Sequence, residues 1–220
     1  MTIQLKKEID KLKQQILKLG AEVESSVRLA VKSILERDPV QAKKVIDHDS
    51  EIDSFEVEIE EDCLKTLALH QPVAVDLRFI VAVLKINNDL ERIGDLAVNI
   101  AEREIIVSKK REIDFPPGLE RMSEIAQSML RKSLESLINM DSKSARQVLE
   151  MDDELDELNS KIYDRVKDDM KKKPEDLTCM VQFLTIARNL ERIGDQATNI
   201  CEDVIYLVEG NIIRHQFSAE

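Results

Sequence analysis

Acidic side chains at helical spacing are the residues of this chain best suited to chemistry. Glu91 and Asp95 are four residues apart, and the same pair returns as Glu191 and Asp195 one hundred residues later. Residues four apart share one face of a helix, where like charges repel and cost about 0.2–0.5 kcal/mol per pair. A cation bound between them would remove that cost. The spacing therefore predicts either a solvated acidic face or a metal site.

A second acidic pair precedes each of these. Asp49 and Asp53 are also four apart, and they are repeated 103 residues later. Each half of the chain thus carries four carboxylates on two successive helical segments. The candidate metal ligands are Asp49, Asp53, Glu91 and Asp95 in the first half, and Asp152, Asp156, Glu191 and Asp195 in the second.

The turn between the two segments places these pairs at matching heights. In an antiparallel helix pair, two residues are level when they are equally distant from the turn. Asp53 and Glu91 are centred on Pro72, as are Asp49 and Asp95. The pairs of the second half are centred on the junction of Lys173 and Pro174. If the acidic faces of the helices meet, each half gathers four carboxylates; the sequence alone does not determine whether they meet.

The ligand types indicate which ion such a cluster would take. Carboxylates without imidazole suit hard cations such as Mg²⁺, Ca²⁺, Mn²⁺ or iron. The Glu-x-x-His pattern of di-iron helical bundles is absent from the sequence. His48 adjoins Asp49, but its counterpart is Met151, so we interpret His48 as a surface residue. The alternative to a metal is pairing of the acids with Arg92 and Arg192; the duplication of the whole pattern favours the metal.

Composition predicts an all-helical fold and excludes some classes of function. The chain of 220 residues has a net charge of -12, five Gly, five Pro and no Trp. So few turn formers disfavour strands, and the negative charge and scarcity of aromatic residues argue against nucleic acid as a partner. No apolar stretch reaches the roughly 20 residues that cross a bilayer.

The helical elements repeat in the same order in each half. Apolar residues from Leu5 onward recur every three or four positions, as in a helix that packs on others. The segment Phe115 to Gly118, which contains Pro-Pro-Gly, is the strongest linker signal. The predicted fold is two tandem antiparallel three-helix bundles related by internal duplication, with domains at residues 1–113 and 114–220. The predicted helices end near 37, 70 and 108 in the first half, and span about 119–139, 141–173 and 174–209 in the second.

The cysteines and the N-terminal segment bear on location. Cys63, Cys179 and Cys201 show neither a disulfide framework nor a zinc motif. The first residues lack the apolar core of a signal peptide. We therefore expect a cytoplasmic protein without direct membrane insertion.

The repeated motif resembles that of a known family. Leu-Glu-Arg-Ile-Gly-Asp-x-Ala-x-Asn-Ile-x-Glu begins at Leu90 and again at Leu190. Together with the Asp-x-x-x-Asp pairs and the duplication, it is similar to the signature of the PhoU family of phosphate-transport accessory proteins, and the resemblance covers the whole chain.

The resemblance implies a function, a cofactor and partners. It implies a negative regulator of the phosphate-starvation response, acting with the ATPase side of a phosphate ABC transporter and with a sensor histidine kinase. It implies a homodimer, located in the cytoplasm and recruited by protein partners to the inner face of the membrane. It also implies multinuclear metal clusters, one on the four carboxylates of each half, with iron first and Mn, Mg, Ca and Zn as alternatives.

Three other functions compete with this one. The first is an accessory protein of a low-affinity phosphate transporter, and the second is a metal-free helical adaptor with acidic contact faces. The third, a metal-dependent hydrolase, ranks last because no nucleophile or acid–base group stands beside the carboxylates. We therefore expect no enzymatic activity.

Overall fold

The fold is all-α in a computed structural model that describes residues 3–110 and 113–210. The outer ends of the two predicted domains, residues 1–2 and 211–220, lie outside these ranges. The first half contains α1 (Ile3–Glu36), α2 (Pro39–His70) and α3 (Ala74–Val107). The second half contains α4 (Leu119–Asn139), α5 (Ser142–Leu149), α6 (Asp152–Lys172), a 3₁₀ turn (Pro174–Asp176) and α7 (Leu177–Glu209). No strand occurs within the described ranges, which confirms the predicted fold class.

The same capping chemistry starts the second helix of each half. The Asp38 carboxylate accepts hydrogen bonds from the amides of Val40 and Gln41 at 2.9 and 3.0 Å. Asp141 accepts from the amides of Lys143 and Ser144 at 3.0 and 3.2 Å. An aspartate in this position satisfies amides that have no partner within the helix. Equivalent caps therefore fix equivalent starts for the second helix of each half.

The second helix of the second half differs from the prediction. We predicted one helix over about 141–173, but α5 ends at Leu149 and α6 begins at Asp152. The amide of Met151 donates to the Val148 carbonyl, three residues back, at 3.0 Å. This tighter turn interrupts the ladder of four-residue bonds. The segment predicted as one helix therefore forms two, α5 and α6, and Asp152 lies in the first turn of α6.

The third helix of the second half also begins differently. Its predicted start at Pro174 is a 3₁₀ turn, and α7 follows from Leu177. Tight turns of this kind are frequent where a helix begins. The remaining helix bounds lie within two residues of those predicted.

The halves are joined through their third helices. α3 packs along α7, and α1 packs on α4. Lys85 near the start of α3 pairs with Asp203 near the end of α7, at 3.0 Å. Arg103 near the end of α3 donates to Gln182 near the start of α7, at 3.4 Å. The two helices are therefore antiparallel, and one continuous apolar core extends through both halves.

In the part of the chain that the structure describes, no helix is both long enough and apolar enough to span a membrane.

Candidate metal centre

The first cluster lies between α2 and α3. Asp49 and Asp53 project from α2 and Asp95 from α3, and one oxygen of each lies within 4.8 Å of the others. The heights deduced from the turn at Pro72 thus correspond to real proximity for these three residues. Two helices hold the three carboxylates at a separation that one cation could span.

The electrostatics of this cluster are unfavourable without a cation. Burial, followed by the charges of Asp53 and Asp95, raises the pKa of Asp49 to about 6, and His48 opposes the shift. Burial and the Asp53 charge likewise raise the pKa of Asp95. Upward shifts mean that the ionised forms are destabilised, first by burial and then by the neighbouring charges.

Glu91 stands beside the group of three rather than within it. Burial raises its pKa, and the charges of Asp95, Asp53 and Glu56 add to the rise. It therefore shares the field of the cluster, although its oxygens fall outside the 4.8 Å set.

The second cluster repeats the arrangement with looser spacing. Burial, and then the charges of Asp156 and Asp195, raise the pKa of Asp152 to about 6, and Asp153 and Glu191 add to the rise. Oxygen Oδ1 of Asp152 is buried and has no hydrogen-bond partner. Among the residues described, no three acids of this half meet the 4.8 Å limit.

Arginines act on two of the other three members of the second cluster, Asp195 and Glu191. Burial and the charge of Asp156 raise the pKa of Asp195, whereas Arg192 lowers it. Burial and the charges of Asp195 and Asp156 raise the pKa of Glu191, against Arg188 and Arg192. Burial and Asp153 raise the pKa of Asp156. Two arginines thus moderate this cluster without neutralising it.

The alternative of acid–arginine pairing is not what the described residues show. Neither Arg92 nor Arg192 forms a salt bridge within 4.0 Å of these carboxylates in the ranges 3–110 and 113–210. The His48 ring lies 3.3 Å from carboxylate oxygens of both Glu22 and Glu51. These contacts hold His48 at the side of the cluster, as a surface residue.

At each cluster, one glycine of the third helix permits the second helix to approach closely. A Cβ at Gly94 would lie 3.4 Å from Cγ2 of Ile52 and 3.9 Å from Oδ1 of Asp49. A Cβ at Gly194 would overlap Cδ2 of Leu155 and would lie 3.5 Å from Oδ1 of Asp152. The glycines therefore lie directly beneath the acids of the second helices.

Sequence reasoning missed the surroundings of the second cluster. An open groove of about 790 Å³ borders Asp156 and Glu191, and its walls include Tyr163 and Arg188. Another of about 380 Å³ borders Asp152 and contains Arg146. The signal available in the sequence was Arg188, two residues before the second copy of the motif, where the first half has Asn88.

The donor set fits a metal ion. Three carboxylate oxygens converge in the first cluster, and an Asp152 oxygen in the second has no hydrogen-bond partner. A cation that prefers oxygen ligands would bind these oxygens and would favour the ionised forms of Asp49 and Asp152, whose pKa values are raised.

The comparisons with known proteins agree with this architecture. A family model described as "PhoU domain" matches residues 16–103 and 119–204. A "Phosphate-specific transport system accessory protein PhoU homolog" of Aquifex aeolicus is 36% identical over 218 residues, covering 99% of both chains. A protein of the same name from Caulobacter vibrioides is 34% identical, over 95% of this chain and 91% of its own.

Solved structures give the same result. The crystal structure of PhoU from Pseudomonas aeruginosa has a TM-score of 0.91 at 32% identity, over 94% of this chain and 99% of that one. The phosphate transport system regulatory protein PhoU from Streptococcus pneumoniae has a TM-score of 0.85 at 28% identity, over 94% and 98% of the two chains. Matches of this extent in sequence and in fold place this chain in the PhoU family.

Proposed function

We propose that this chain is an accessory protein of phosphate transport that binds metal at its two carboxylate clusters and keeps the phosphate-starvation response off. The observation that carries the proposal is the convergence of Asp49, Asp53 and Asp95 in a chain whose relatives are named as accessory proteins of a phosphate-specific transport system.

The metal is part of the proposal because the carboxylates repel one another in its absence. Asp49, Asp53 and Asp95, with Glu91 beside them, would hold metal in the first half. Asp152, Asp156, Glu191 and Asp195 would hold it in the second. A bound cation would neutralise two acidic surfaces, so metal loading would change what those surfaces can contact. Iron is the first candidate, and manganese is the most useful probe.

Contact with other proteins is the proposed mode of action. The partners are the ATPase side of a phosphate ABC transporter and a sensor histidine kinase, and the acting form is a homodimer in the cytoplasm. No chemical turnover is proposed: the regulator would report phosphate sufficiency through binding.

Metal binding is tested by elemental analysis of the chain purified without added metal, and by melting in chelator or in excess Mn²⁺. A ligand that binds the native state alone raises the melting temperature as its concentration increases. Asp49→Asn and Asp152→Asn should weaken this response. Asp47→Asn is the matched control, because Asp47 is an exposed acid of α2 paired with Lys43 at 2.6 Å.

If the purified chain contains no metal and its melting temperature is the same in chelator and in excess Mn²⁺, the result would favour the alternative of a metal-free helical adaptor.

Regulation is tested in the host. Deletion of the gene should leave phosphate-starvation genes active at high phosphate, and the wild-type chain should restore repression. Normal repression in the deletion strain would contradict the regulatory role. Full restoration by a chain with Asn at positions 49, 53 and 95 and Gln at 91 would separate the regulatory role from the first cluster.

A further inference from the structure

Glu104 is a buried carboxyl group that the proposed function does not use. It lies near the end of α3 and is 0% exposed. Neither of its side-chain oxygens has a hydrogen-bond partner. The matching position in the second half is Val204, also 0% exposed. A position that an apolar residue fills in one half therefore holds an unsatisfied acid in the other.

The charged groups that act on Glu104 lie at the junction of α1 and α2. They are Arg37, which lowers its pKa, and Asp38, which raises it. On the α7 side of Arg37 stand Cys179 and Asp176: burial and the Asp176 charge raise the pKa of Cys179, while Lys110 and Arg37 oppose them. Two of these groups are cations, and Arg37 rather than Lys110 is the one whose charge acts on Glu104.

Arg37 is engaged with the linker between the two halves. Its guanidinium donates to the carbonyl of Ile113 and stacks over the Phe115 ring, 4.8 Å from the centroid. Phe115 in turn packs edge-to-face on Phe183 of α7, with centroids 5.4 Å apart. Arg37 thus fastens the linker to the first half, and the linker packs on α7.

Arg37 can either contact the linker or pair with Glu104, and the charge of Glu104 decides between the two. A neutral carboxyl group can stay buried without a salt bridge. An ionised one in the same place is strongly destabilised unless a cation pairs with it. Burial raises the pKa of Glu104 to about 7, so both forms are accessible near neutrality.

We propose that Glu104 and Arg37 form a proton-dependent latch on the linker. With Glu104 protonated, Arg37 holds Ile113 and Phe115; with Glu104 ionised, the guanidinium turns to the buried carboxylate and releases the linker. The latch belongs to the first half alone, since Val204 offers no charge. It does not depend on metal or on the proposed regulatory partners.

Hydrogen exchange of the linker amides tests the latch. We would measure protection of the amides of residues 113, 114, 115, 118 and 119 from pH 5.5 to 8.5, corrected for the intrinsic pH dependence of exchange. At one pH unit above the pKa the ionised form predominates by about tenfold, so protection should fall by up to about tenfold between pH 6 and pH 8. Glu104→Gln should keep the linker protected throughout, because the amide is always neutral.

Three further variants complete the design. Glu104→Val reproduces the second half and keeps the test available if the Gln variant folds poorly; it should also abolish the pH dependence. Arg37→Gln should lower protection at every pH. Glu36→Gln, which changes an exposed acid next to Arg37, should behave as wild type.

Two results would overturn the proposal. One is an equal fall in protection in wild type and in Glu104→Gln or Glu104→Val. The other is a wild-type linker whose protection does not change while carbon-13 spectra of the Glu104 carboxyl group show that it titrates.

Discussion

The raised pKa of Asp49 measures how much the burial and clustering of acids cost in folding free energy. Its pKa is about 6, against an ordinary value of 3.8, because burial and two neighbouring carboxylates disfavour its charge. At 1.36 kcal/mol per pH unit, the upper limit of that cost is about 3 kcal/mol. Solvent screening at a partly exposed position reduces it to about 1 kcal/mol.

A pH dependence follows from the sign of this shift. Because the folded-state pKa is the higher one, the contribution of Asp49 to the stability of the metal-free chain is fully present below about pH 4 and is lost as the pH rises through about 6. Asp49→Asn should remove part of that loss, and in chelator at pH 7 it should be more stable than wild type by about 1 kcal/mol. Urea unfolding across this pH range measures the difference.

The control for this prediction is Asp47→Asn, which should follow the wild-type profile. In excess Mn²⁺ at pH 7 the order should reverse, with Asp49→Asn the less stable of the two. Parallel profiles for all three chains in chelator would show that Asp49 carries no such cost.

The two motif glycines make a matched pair for mutation. A Cβ at Gly94 meets Ile52 at an ordinary contact distance of 3.4 Å, whereas one at Gly194 overlaps Leu155, which is 0% exposed. Gly94→Ala should therefore be neutral or stabilise by up to about 1 kcal/mol through helix propensity. Gly194→Ala should destabilise by about 1–3 kcal/mol, since the core must shift. Equal effects in thermal unfolding would contradict this reading of the helix spacing.

At the scale of elements, the turn between α2 and α3 is strained. Gln71 and Ala74 have φ angles of 44° and 50°, a left-handed region that L-residues rarely adopt. Glycine has no Cβ and tolerates this region. Ala74→Gly should therefore stabilise the chain by about 0.5–1 kcal/mol. Ala21→Gly, at an exposed position inside α1, should instead destabilise by about 1 kcal/mol. If both substitutions destabilise equally in urea unfolding, other contacts outweigh the strain at Ala74.

Local signals determined most helix bounds, and tertiary contacts determined the exceptions. Asp38 with Pro39 and the Pro-Pro-Gly linker are strong signals of a helix boundary, so α2 and α4 begin where the sequence indicates. The break after Leu149 has no Gly or Pro, so nothing in the local sequence indicates it. In the same way, helix register predicts the height of a side chain but not its torsions. The sequence left open whether the acidic faces meet; in the structure Asp49, Asp53 and Asp95 converge, whereas Glu91 stands aside.

The Glu104 latch shows a different limit of sequence reading. A comparison of the two copies gives Glu104 opposite Val204, but only the packing reveals that this acid is enclosed and lacks a partner. The interface between the halves was equally hidden, because Lys85 and Asp203 are 118 residues apart.

At the scale of the whole molecule, the antiparallel contact of α3 with α7 unites the two bundles. Lys85 reaches an Asp203 side chain that is only 2% exposed. Arg78 and Lys85 both lie over the Tyr206 ring, 5.7 and 5.4 Å from its centroid. Ile93 and Ile193, near the middle of the two helices, are completely buried. Each bundle thus covers an apolar face of the other.

This mutual covering predicts how the chain behaves when it is divided. Residues 1–113 and 114–220, expressed separately, should each expose the apolar face of a third helix and should self-associate or lose helicity. When mixed, they should form a one-to-one complex, since burial of these faces is the dominant favourable term in association. Light scattering and circular dichroism would measure mass and helicity, and the undivided chain should unfold in one transition. Stable monomeric halves with full helicity, or two separate transitions in the whole chain, would show that each bundle is stable without its neighbour.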